Sequence, residues 1–396
     1  MKVVDLTEFY SQRGGGVRSY LTAKAQAARA LGHDHLVIAP GPSDSVAAVG
    51  AGGPGRSRLR LLRGPSLPYD PTYQLFYRVR DARRAVLAER PDVLELHSPY
   101  LAALTGLSVP RSGFGIRTFV WHADFIDTYL RTMLERGLPT RAIDGLLEPL
   151  WASVRRIAGG CDATIVAARW QVDKLRHHGV PNVVHVPFGV DREQFSTAAR
   201  DASERAKWLV GAAPNAKLLV GIGRFAVEKR WDVVLDAFEE LRRTHAAVLV
   251  LYGDGPDRAR LEQRCVGRTD VHFPGFVSDR ARLATGLASA DLLVHGCPFE
   301  TFGLGVAEAM STGLPAVVPD AGGAAELVDE SCGEHYRAGD AHACAAAIVR
   351  ALARDPANLR EGALRAMAQR VPTVRGHFEQ LFALYAELLA RRAARG

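Results

Sequence analysis

The sequence predicts an α/β protein of two doubly wound domains, each with a parallel sheet covered by helices. Short apolar strand candidates alternate with helical stretches along the chain, which is typical of βαβ units. The 396 residues also exceed the roughly 250–300 residues that one hydrophobic core usually spans. Because ligands bind at the carboxyl ends of strands in such sheets, we expect the two domains to face one cleft.

The first half of the chain carries six strand candidates. They are Lys2–Leu6, His35–Ala39, Val93–His97, Arg117–His122, Ala163–Ala167 and Val183–Val186. Helices are predicted between them, for example at Val17–Leu31 and Tyr73–Arg90. Residues 41–68 are rich in Gly, Pro and Ser, which predicts a long loop. We assign residues 1–190 to a Rossmann-like N-terminal domain.

The alternation restarts after a turn at Pro187–Asp191. Further strands are predicted at Lys217–Ile222, Ala247–Tyr252, Asp270–Phe273, Asp291–His295 and Ala316–Pro319, with a helix at Trp231–Arg243. We assign residues 191–373 to a second Rossmann-like domain. A last helical stretch within residues 374–396 is predicted to cap either domain, including by crossing back to the first.

Positive charge is concentrated in the first half of the chain. Residues 1–190 carry 24 Lys and Arg against 16 Asp and Glu, whereas residues 191–396 carry 26 against 27. This asymmetry predicts an anionic partner such as a membrane surface or a phosphorylated lipid, with an arginine-rich genome as the alternative. No nucleic-acid-binding motif is present, so nucleic acid is not a predicted partner.

The location predicted from the sequence is the cytoplasm. No run of 18 apolar residues is present, and the first residues lack the basic and apolar segments of a signal peptide. The five cysteines include no CxxC pair, which favours free thiols in a reducing compartment over zinc ligation or disulfides.

Two glycine-containing turns are candidates for binding phosphate. Gly14–Gly16 follows the first strand and precedes a helix, where a helix N-terminus favours an anion. The pattern is not GxGxxG, which disfavours a nicotinamide cofactor, and a plain tight turn is the alternative. Gly221–Arg224 with Lys229 places two cations after a strand, which fits a diphosphate, although a solvated basic loop is the alternative.

The segment Cys297–Met310 is the most specific in the chain. Glu300 lies in a loop after a strand, and Glu308 lies in a helix predicted to begin near Leu304. Carboxylates accept hydrogen bonds from a polyhydroxylated ligand, and the N–H groups at the helix start favour phosphate. The intervening Phe302 and Gly303 are unusual for a solvated face.

Glu300 and Glu308 form the E-x7-E pattern of retaining glycosyltransferases related to glycogen and sucrose synthases. The chain resembles the bacterial group-1 (family 4) glycosyltransferases, which include phosphatidylinositol mannosyltransferases. The resemblance runs almost end to end and implies the GT-B fold, two Rossmann-like domains facing a cleft. It rests on Gly14–Gly16, His122, Gly223–Lys229, Tyr252–Pro256, Phe299–Met310 and Pro315–Gly323.

The resemblance implies a role for each matched residue. Arg224 and Lys229 match the pair that binds the donor diphosphate, Glu300 matches a contact to sugar hydroxyls, and Glu308 matches a contact to the ribose. The remaining donor-binding matches are Gly15, Gly16, Gly223, Val277, Thr301, Phe302, Gly303 and Leu304. His122 matches a histidine near the reacting carbon; with His97 and Asp124 it is a candidate for acceptor binding. The predicted catalytic residues are His122, Glu300, Arg224 and Lys229.

The predicted activity is retaining transfer of a hexose from a GDP-mannose or UDP-glucose type of donor to a hydroxyl acceptor. The acceptor is a lipid-linked molecule, a glycan or a small molecule. No cofactor is predicted, and the absence of Asp-x-Asp predicts a metal-independent enzyme. A peripheral membrane contact is predicted for the basic N-terminal domain, where aromatic and arginine residues recur at helical spacing in Tyr73–Arg90; the alternative is a core face of aromatics with a solvated arginine face.

Three other functions remain open from the sequence. One is a GT-B sugar-nucleotide epimerase, which shares the predicted fold. Another is a glycoside hydrolase that uses Glu300 and Glu308 as acid and base. A third is a non-catalytic binding protein, which the intact set of matched residues disfavours.

Overall fold

The computed structural model describes residues 1–11, 16–50, 53–67, 70–134 and 137–394. The chain divides into two compact units. Unit 1 comprises Met1–Ile126, Leu130–Val186 and Val374–Gly396, and unit 2 comprises Asp127–Tyr129 and Pro187–Thr373. Each unit contains its own parallel sheet, as the alternation of strands and helices predicts.

The strands are short and apolar, as buried parallel strands require. In chain order they are β1 (Lys2–Leu6), β2 (Asp34–Gly41), β3 (Ser45–Ala48), β4 (Ser57–Arg63), β5 (Ser66–Leu67), β6 (Asp70–Gln74), β7 (Val93–Leu96), β8 (Ile116–Val120), β9 (Ala163–Val166), β10 (Val183–His185), β11 (Lys217–Ile222), β12 (Ala247–Tyr252), β13 (Val271–Gly275), β14 (Leu292–Val294), β15 (Ala316–Pro319) and β16 (Gly333–Tyr336).

The helices alternate with these strands. They are α1 (Gly16–Ala30), α2 (Val79–Glu89), α3 (Leu101–Leu107), α4 (Thr132–Leu134), α5 (Thr140–Gly159), α6 (Arg169–His177), α7 (Ala202–Trp208), α8 (Trp231–Leu241), α9 (Arg258–Arg264), α10 (Arg280–Ala288), α11 (Leu304–Ser311), α12 (Gly323–Leu327), α13 (Ala341–Leu352), α14 (Pro356–Arg370) and α15 (Val374–Ala393). Asp279, Asp340 and Asp355 cap α10, α13 and α14, because their carboxylates accept bonds from the first backbone N–H groups.

The main sheet of unit 1 has the strand order β10-β9-β8-β7-β1-β2-β4-β3. Its neighbours are parallel except for the antiparallel pair β3 and β4. On one face, the C-terminal helix α15 buries Phe378, Leu381 and Phe382 in the same cluster as Val3 and Val93 of the central strands. The last helix of the chain is therefore part of unit 1.

Two sequence predictions for unit 1 are wrong. Residues 41–68 are not a long loop, because they contain β3, β4 and β5; β4 pairs with β2 along Ser57–Arg63, and its alternation of Leu and Arg was masked by the flanking Gly, Pro and Ser. The helix predicted at Tyr73–Arg90 spans only Val79–Glu89, and Tyr73 lies in β6. Phe76 is buried and Tyr77 is exposed, so these aromatics and the arginines of α2 do not form one amphipathic helix.

The sheet of unit 2 has the strand order β13-β12-β11-β14-β15-β16, with parallel neighbours. Its central strands are apolar apart from Lys217 at the start of β11, and α8 and α13 pack in the same cluster through Phe238, Leu241 and Ile348. The edge strand β16 was not predicted, because Gly333–Tyr336 is mostly polar. The helix predicted near Leu304 begins at that residue.

Within the ranges given above, no helix combines the length and the apolar composition needed to cross a bilayer. The five cysteines are free thiols with buried side chains.

Candidate functional site

The carboxyl ends of β11, β12 and β13 are joined by backbone hydrogen bonds. Gly223 N donates to Tyr252 O at 3.1 Å, and Gly253 N donates to Gly275 O at 3.1 Å. A Cβ atom on Gly253 would lie 1.9 Å from Gly223 O, so this close approach requires glycine. The predicted Gly223 turn therefore lies at the edge of the sheet where ligands of α/β domains bind.

Arg224 and Lys229 lie in the connection between β11 and α8. The backbone of this connection is fixed by Trp231, whose Nε1 donates to Arg224 O at 2.9 Å. The indole is buried, and a Cβ atom on Gly221 would lie 2.6 Å from its Cζ3. A buried ring thus holds the segment that carries both predicted phosphate-binding cations.

Lys229 and Glu300 form an ion pair in which Nζ donates to Oε1 at 2.5 Å. Burial raises the pKa of Glu300, but the charge of Lys229 and the neighbouring His295 outweigh it and hold this pKa well below its usual range. Burial lowers the pKa of Lys229, and the charge of Glu300 more than reverses that effect. Both groups are therefore ionised at neutral pH.

His295 and Cys297, at the end of β14, surround the same carboxylate. His295 Nε2 lies 3.4 Å from Glu300 Oε1, and the potential ligand atoms of His295, Cys297 and Glu300 lie within 4.8 Å of one another. The Lys229 ammonium already neutralises this carboxylate. Neither residue was selected from the sequence, although their place just after a strand, at the start of the Cys297–Met310 segment, was a usable signal.

The N-terminus of α11 follows Glu300 directly. Gly303 precedes the helix with φ of 90°, a left-handed conformation that favours glycine, and a Cβ atom there would lie 3.1 Å from Ala324 Cα. Thr301 is half-buried and Leu304 is exposed. Since the first N–H groups of a helix lack acceptors within it, this end offers donors and a positive dipole to an anion.

The loop before α11 is packed against a second turn. Gly323 N donates to Glu300 O at 2.6 Å, and a Cβ atom on Gly323 would lie 2.6 Å from Phe302 Cα. The buried Phe302 ring contacts Phe188 edge to face, with centroids 5.6 Å apart. Phe302 is therefore a packing residue whose backbone is held in place.

Glu308 lies inside α11 and forms an ion pair with Arg280 at the start of α10. The Glu308 side chain is 8% exposed and that of Arg280 is 44% exposed. Burial raises the pKa of Glu308 more than Arg280 lowers it. The Arg280 guanidinium also lies 4.7 Å from the centroid of Phe195. Arg280 was missed from the sequence, because an arginine in a polar helix start has the pattern of a solvated residue.

Val277 lies in the loop after β13, and β13 is next to β12 in the sheet. It is half-buried, whereas the adjacent Phe276 is exposed. Gly275 before it has φ of 85° and turns the chain at the strand end. The loop predicted to lie against the base is thus at the same sheet edge as Gly223.

In unit 1, Gly16 is the first residue of α1, and a Cβ atom on it would meet no atom within 4 Å. Gly15 lies outside the described residues. The open space at Gly16 is consistent with a backbone that a ligand approaches, and does not by itself require glycine.

His97 and His122 follow the adjacent strands β7 and β8, and the structure brings them together. His97 Nδ1 and His122 Nε2 lie 2.8 Å apart. Burial and then the charges of His97 and Lys24 hold the pKa of His122 well below its usual range. The His122 ring is therefore neutral at neutral pH.

Asp124 follows His122 but points to a different partner. Its side chain is buried and forms an ion pair with Lys174 of α6. The sequence did not predict this pair, because 50 residues separate its members. The role of Asp124 in acceptor binding stays a prediction.

A buried ion cluster in unit 1 was also missed from the sequence. Lys24 Nζ lies 2.7 Å from Asp5 Oδ1 and 2.6 Å from Glu95 Oε1, and all three side chains are fully buried. Charged residues are seldom buried unless they are paired. A signal existed, since Lys24 occupies the same helix face as the apolar Leu21 and Ala28.

Two glycosyltransferase family models match the chain, one in each half. A model described as Glycosyltransferase Family 4 matches residues 14–194, and one described as Glycosyl transferases group 1 matches residues 216–354. A GDP-mannose-dependent alpha-(1-6)-phosphatidylinositol dimannoside mannosyltransferase from Mycobacterium tuberculosis is 32% identical over 346 residues, which cover 84% of this chain and 83% of that protein. The chain belongs to the group-1, family 4 glycosyltransferases.

This glycosyltransferase has further relatives at lower identity. A GDP-mannose-dependent alpha-mannosyltransferase from Corynebacterium glutamicum is 28% identical, over 83% of this chain and 75% of that protein. Sucrose-phosphate synthase from Thermosynechococcus elongatus has the same fold, with a TM-score of 0.78 and 19% identity over 98% of this chain and 99% of that one. The predicted GT-B fold class is therefore confirmed.

Proposed function

We propose that this glycosyltransferase transfers mannose from GDP-mannose to a hydroxyl of a phosphatidylinositol-type glycolipid, with retention of configuration and without a metal ion. The observation that carries the proposal is its likeness to relatives named as GDP-mannose-dependent, at 32% and 28% identity over more than four-fifths of the chain. Of the two donor types that the sequence left open, GDP-mannose and UDP-glucose, this likeness favours GDP-mannose.

Unit 2 would hold the donor through its paired side chains. Arg224 and Lys229 would bind the diphosphate, since an arginine forms forked bonds to phosphate oxygens and a lysine acts as a point charge. The N-terminus of α11 would add backbone donors. Lys229 is already held in place by Glu300, so the cation is positioned before the donor arrives.

Glu300 and Glu308 would recognise the sugar and the ribose. The Glu300 carboxylate is ionised and held by Lys229, so it accepts hydrogen bonds from sugar hydroxyls and orients the anomeric carbon. Glu308 is bound to Arg280, and a ribose hydroxyl would have to bind beside or in place of that arginine. In a hydrolase, Glu308 with its raised pKa would be the acid and Glu300 with its lowered pKa the base. The two cations Arg224 and Lys229 favour a diphosphate donor over that alternative.

The chemical step needs stabilisation of the charge that develops on the leaving group. The acceptor oxygen would form a bond to the anomeric carbon while the bond from that carbon to the diphosphate oxygen breaks. The acceptor's proton would pass to an oxygen of the departing phosphate, on the same face of the sugar. Arg224 and Lys229 would supply the stabilising positive charge, the role that a metal ion has in other transferases.

Unit 1 would supply the acceptor side. The neutral His122 would hydrogen-bond to a hydroxyl of the donor sugar or the acceptor, and His97 and Asp124 are further candidates. A peripheral membrane contact fits the excess of basic residues in this half of the chain. It also fits Leu101 and Leu104, which are 38% and 51% exposed three residues apart on α3.

A transfer assay on vesicles tests the proposal. The full chain is incubated with GDP-mannose or UDP-glucose and vesicles that contain phosphatidylinositol mannosides, with and without EDTA. We expect mannose transfer from GDP-mannose and none from UDP-glucose, at the same rate with and without EDTA. The product should be α-linked by NMR. The protein should also sediment with anionic vesicles, and this binding should weaken at high salt. Transfer from UDP-glucose, a β-linked product or a requirement for metal would each overturn the corresponding part. Release of free sugar from a plain oligosaccharide, without any nucleotide, would favour the hydrolase.

A further inference from the structure

We propose that His97 is a positioning residue that fixes the tautomer of His122, and that the buried Asp5–Lys24–Glu95 cluster, with Tyr385 of α15, holds His97 in place. The inference deepens the proposed function and rests on it, because it assumes that His122 faces a hydroxyl of the donor or acceptor. The family resemblance assigns His122 only; His97 was an acceptor candidate, and the cluster was assigned no role.

The pairing of the two histidines follows from the sheet. β7 and β8 are adjacent and parallel, and each histidine follows the end of its strand. His97 N donates to Leu6 O at 3.1 Å, which ties it to the end of β1 as well. The imidazoles are nearly parallel, with an interplanar angle of 23° and 2.8 Å between His97 Nδ1 and His122 Nε2.

The other nitrogen of His97 faces two carboxylates. His97 Nε2 lies 3.5 Å from Asp5 Oδ1 and 3.4 Å from Glu95 Oε1. Neither contact has the geometry of a hydrogen bond, so the two carboxylates act on this side of the His97 ring by charge. The 2.8 Å contact joins Nδ1 of His97 to Nε2 of His122 and carries one proton, which lies on one of these two nitrogens.

The consequence for His122 is a single tautomer. Because His122 is neutral, its Nδ1 atom carries a lone pair when Nε2 donates to His97, and carries the proton when Nε2 accepts from His97. A hydroxyl of the sugar or the acceptor would bond to this Nδ1 atom in the matching role. Orientation of a functional imidazole through the bond made by its other nitrogen is a common arrangement in enzymes.

The charges of the Asp5–Lys24–Glu95 cluster next to His97 are paired with one another and with neighbouring groups. Lys24 binds both carboxylates, His35 Nε2 lies 2.7 Å from Asp5 Oδ2, and Thr118 Oγ1 donates to Glu95 Oε2 at 2.8 Å. Burial of such charges is costly for stability, so their presence next to a site residue calls for a role beyond packing.

Tyr385 connects the C-terminal helix to this cluster. Its hydroxyl donates to Glu95 Oε2, and the side chain is fully buried. Tyr20 and His377 are the other titratable groups nearby: Tyr20 lies 6.0 Å from His97, 5.0 Å from His122 and 5.6 Å from His377 between ring centroids. Helix α15 thus supplies Tyr385 to the cluster and His377 to the surroundings of Tyr20.

The first test is independent of transfer. Long-range ¹H–¹⁵N NMR on imidazole-labelled full chain, without substrate, reports which nitrogen of His122 is protonated, and His122→Asn identifies its signals. We expect a single tautomer in the wild type and a mixture of tautomers in His97→Ala. A mixture in the wild type, or a tautomer unchanged in His97→Ala, overturns the proposal. Loss of transfer in a variant that keeps the single tautomer would instead count against the proposed function.

The second test is kinetic. We expect His97→Gln to lower kcat about 10- to 100-fold, with the KM for the nucleotide donor little changed, because an orienting contact is lost while the donor site stays intact. In a His122→Asn background the same substitution should change kcat by less than about twofold. Tyr385→Phe, which removes only a hydroxyl, should give a smaller loss in the same direction. Equal effects of His97→Gln in both backgrounds would show a merely structural role.

Discussion

At the scale of single residues, the ion pair between Lys229 and Glu300 lies at the centre of the proposed donor site. The sequence predicted both residues, but for different parts of the ligand: the diphosphate and the sugar. The structure joins them at 2.5 Å, across 71 residues of chain. A cation and a carboxylate that position each other before the ligand binds reduce the reorganisation needed when it does.

Lys229→Met tests this pair. It leaves the Glu300 carboxylate largely buried beside His295, and we expect a loss of about 1–3 kcal/mol in the free energy of unfolding at pH 7, less than the ~3–5 kcal/mol for breaking a fully buried pair. Urea denaturation measures it. Lys207→Met, whose side chain is 46% exposed in its pair with Glu204, is the matched control and should change the free energy by less than about 1 kcal/mol.

The pH dependence of stability follows from the same pair. Because the pKa of Glu300 is depressed in the folded chain, the pair contributes stability above the unfolded pKa of about 4.3 and loses it as the pH falls below that value. The difference between wild type and Lys229→Met should therefore shrink from pH 7 to pH 3.5. A difference that is constant over this range would show that packing, and not charge, is lost.

Ion pairs between residues far apart in the chain could not be predicted from the sequence. Lys24 and Arg280 have the pattern of solvated helix residues, and only the fold places Lys24 between Asp5 and Glu95 and Arg280 against Glu308. The E-x7-E motif was found because both glutamates lie in one segment with a recognisable order. Local order is visible in a sequence, whereas a pair formed across many residues is not.

At the scale of elements, the N-termini of α1 and α11 are the two helix ends that we propose to bind phosphate. They differ in what their glycines tolerate. A Cβ atom on Gly16 meets nothing within 4 Å, while Gly303 has a left-handed φ and Ala324 at 3.1 Å. The glycine at α11 is required by the fold, and that at α1 is free to serve a ligand.

Alanine substitutions separate these two roles. Gly16→Ala should leave the free energy of unfolding within about 1 kcal/mol of wild type but raise the KM for the donor, because the added methyl meets the donor phosphates. Gly303→Ala should lose about 1–2 kcal/mol and also weaken donor binding. The matched controls are Gly145→Ala in α5 and Gly267→Ala, which has φ of 79° in open space. Unchanged donor KM in Gly16→Ala would remove Gly16 from the site.

The elements themselves were mostly readable from the sequence. Buried strands such as Lys2–Leu6, Lys217–Ile222 and Ala247–Tyr252 match the predicted bounds, because continuous apolar runs mark strands that are buried on both faces. The strands that the sequence did not predict lie at or next to the sheet edges. β3, β4 and β16 alternate or are polar, and their pairing with a neighbour stabilises them more than their own composition does.

At the scale of the whole molecule, the two halves of the chain differ in charge: residues 1–190 carry 24 Lys and Arg against 16 Asp and Glu, and residues 191–396 carry 26 against 27. The GT-B fold class and the glycosyltransferase family are confirmed by the comparisons. A fold of this kind supports many donors and acceptors. We propose that residues of unit 2 decide which nucleotide the chain binds.

The most direct test is a thermal unfolding series with GDP, UDP and ADP on wild type and Glu308→Gln. A nucleotide at about 100 times its Kd adds roughly 2.7 kcal/mol to the free energy of unfolding, which raises Tm by several degrees. We predict such a rise with GDP, little or no rise with UDP and ADP, and a smaller rise with GDP in Glu308→Gln. A rise with UDP alone, or no rise with any nucleotide, would contradict it.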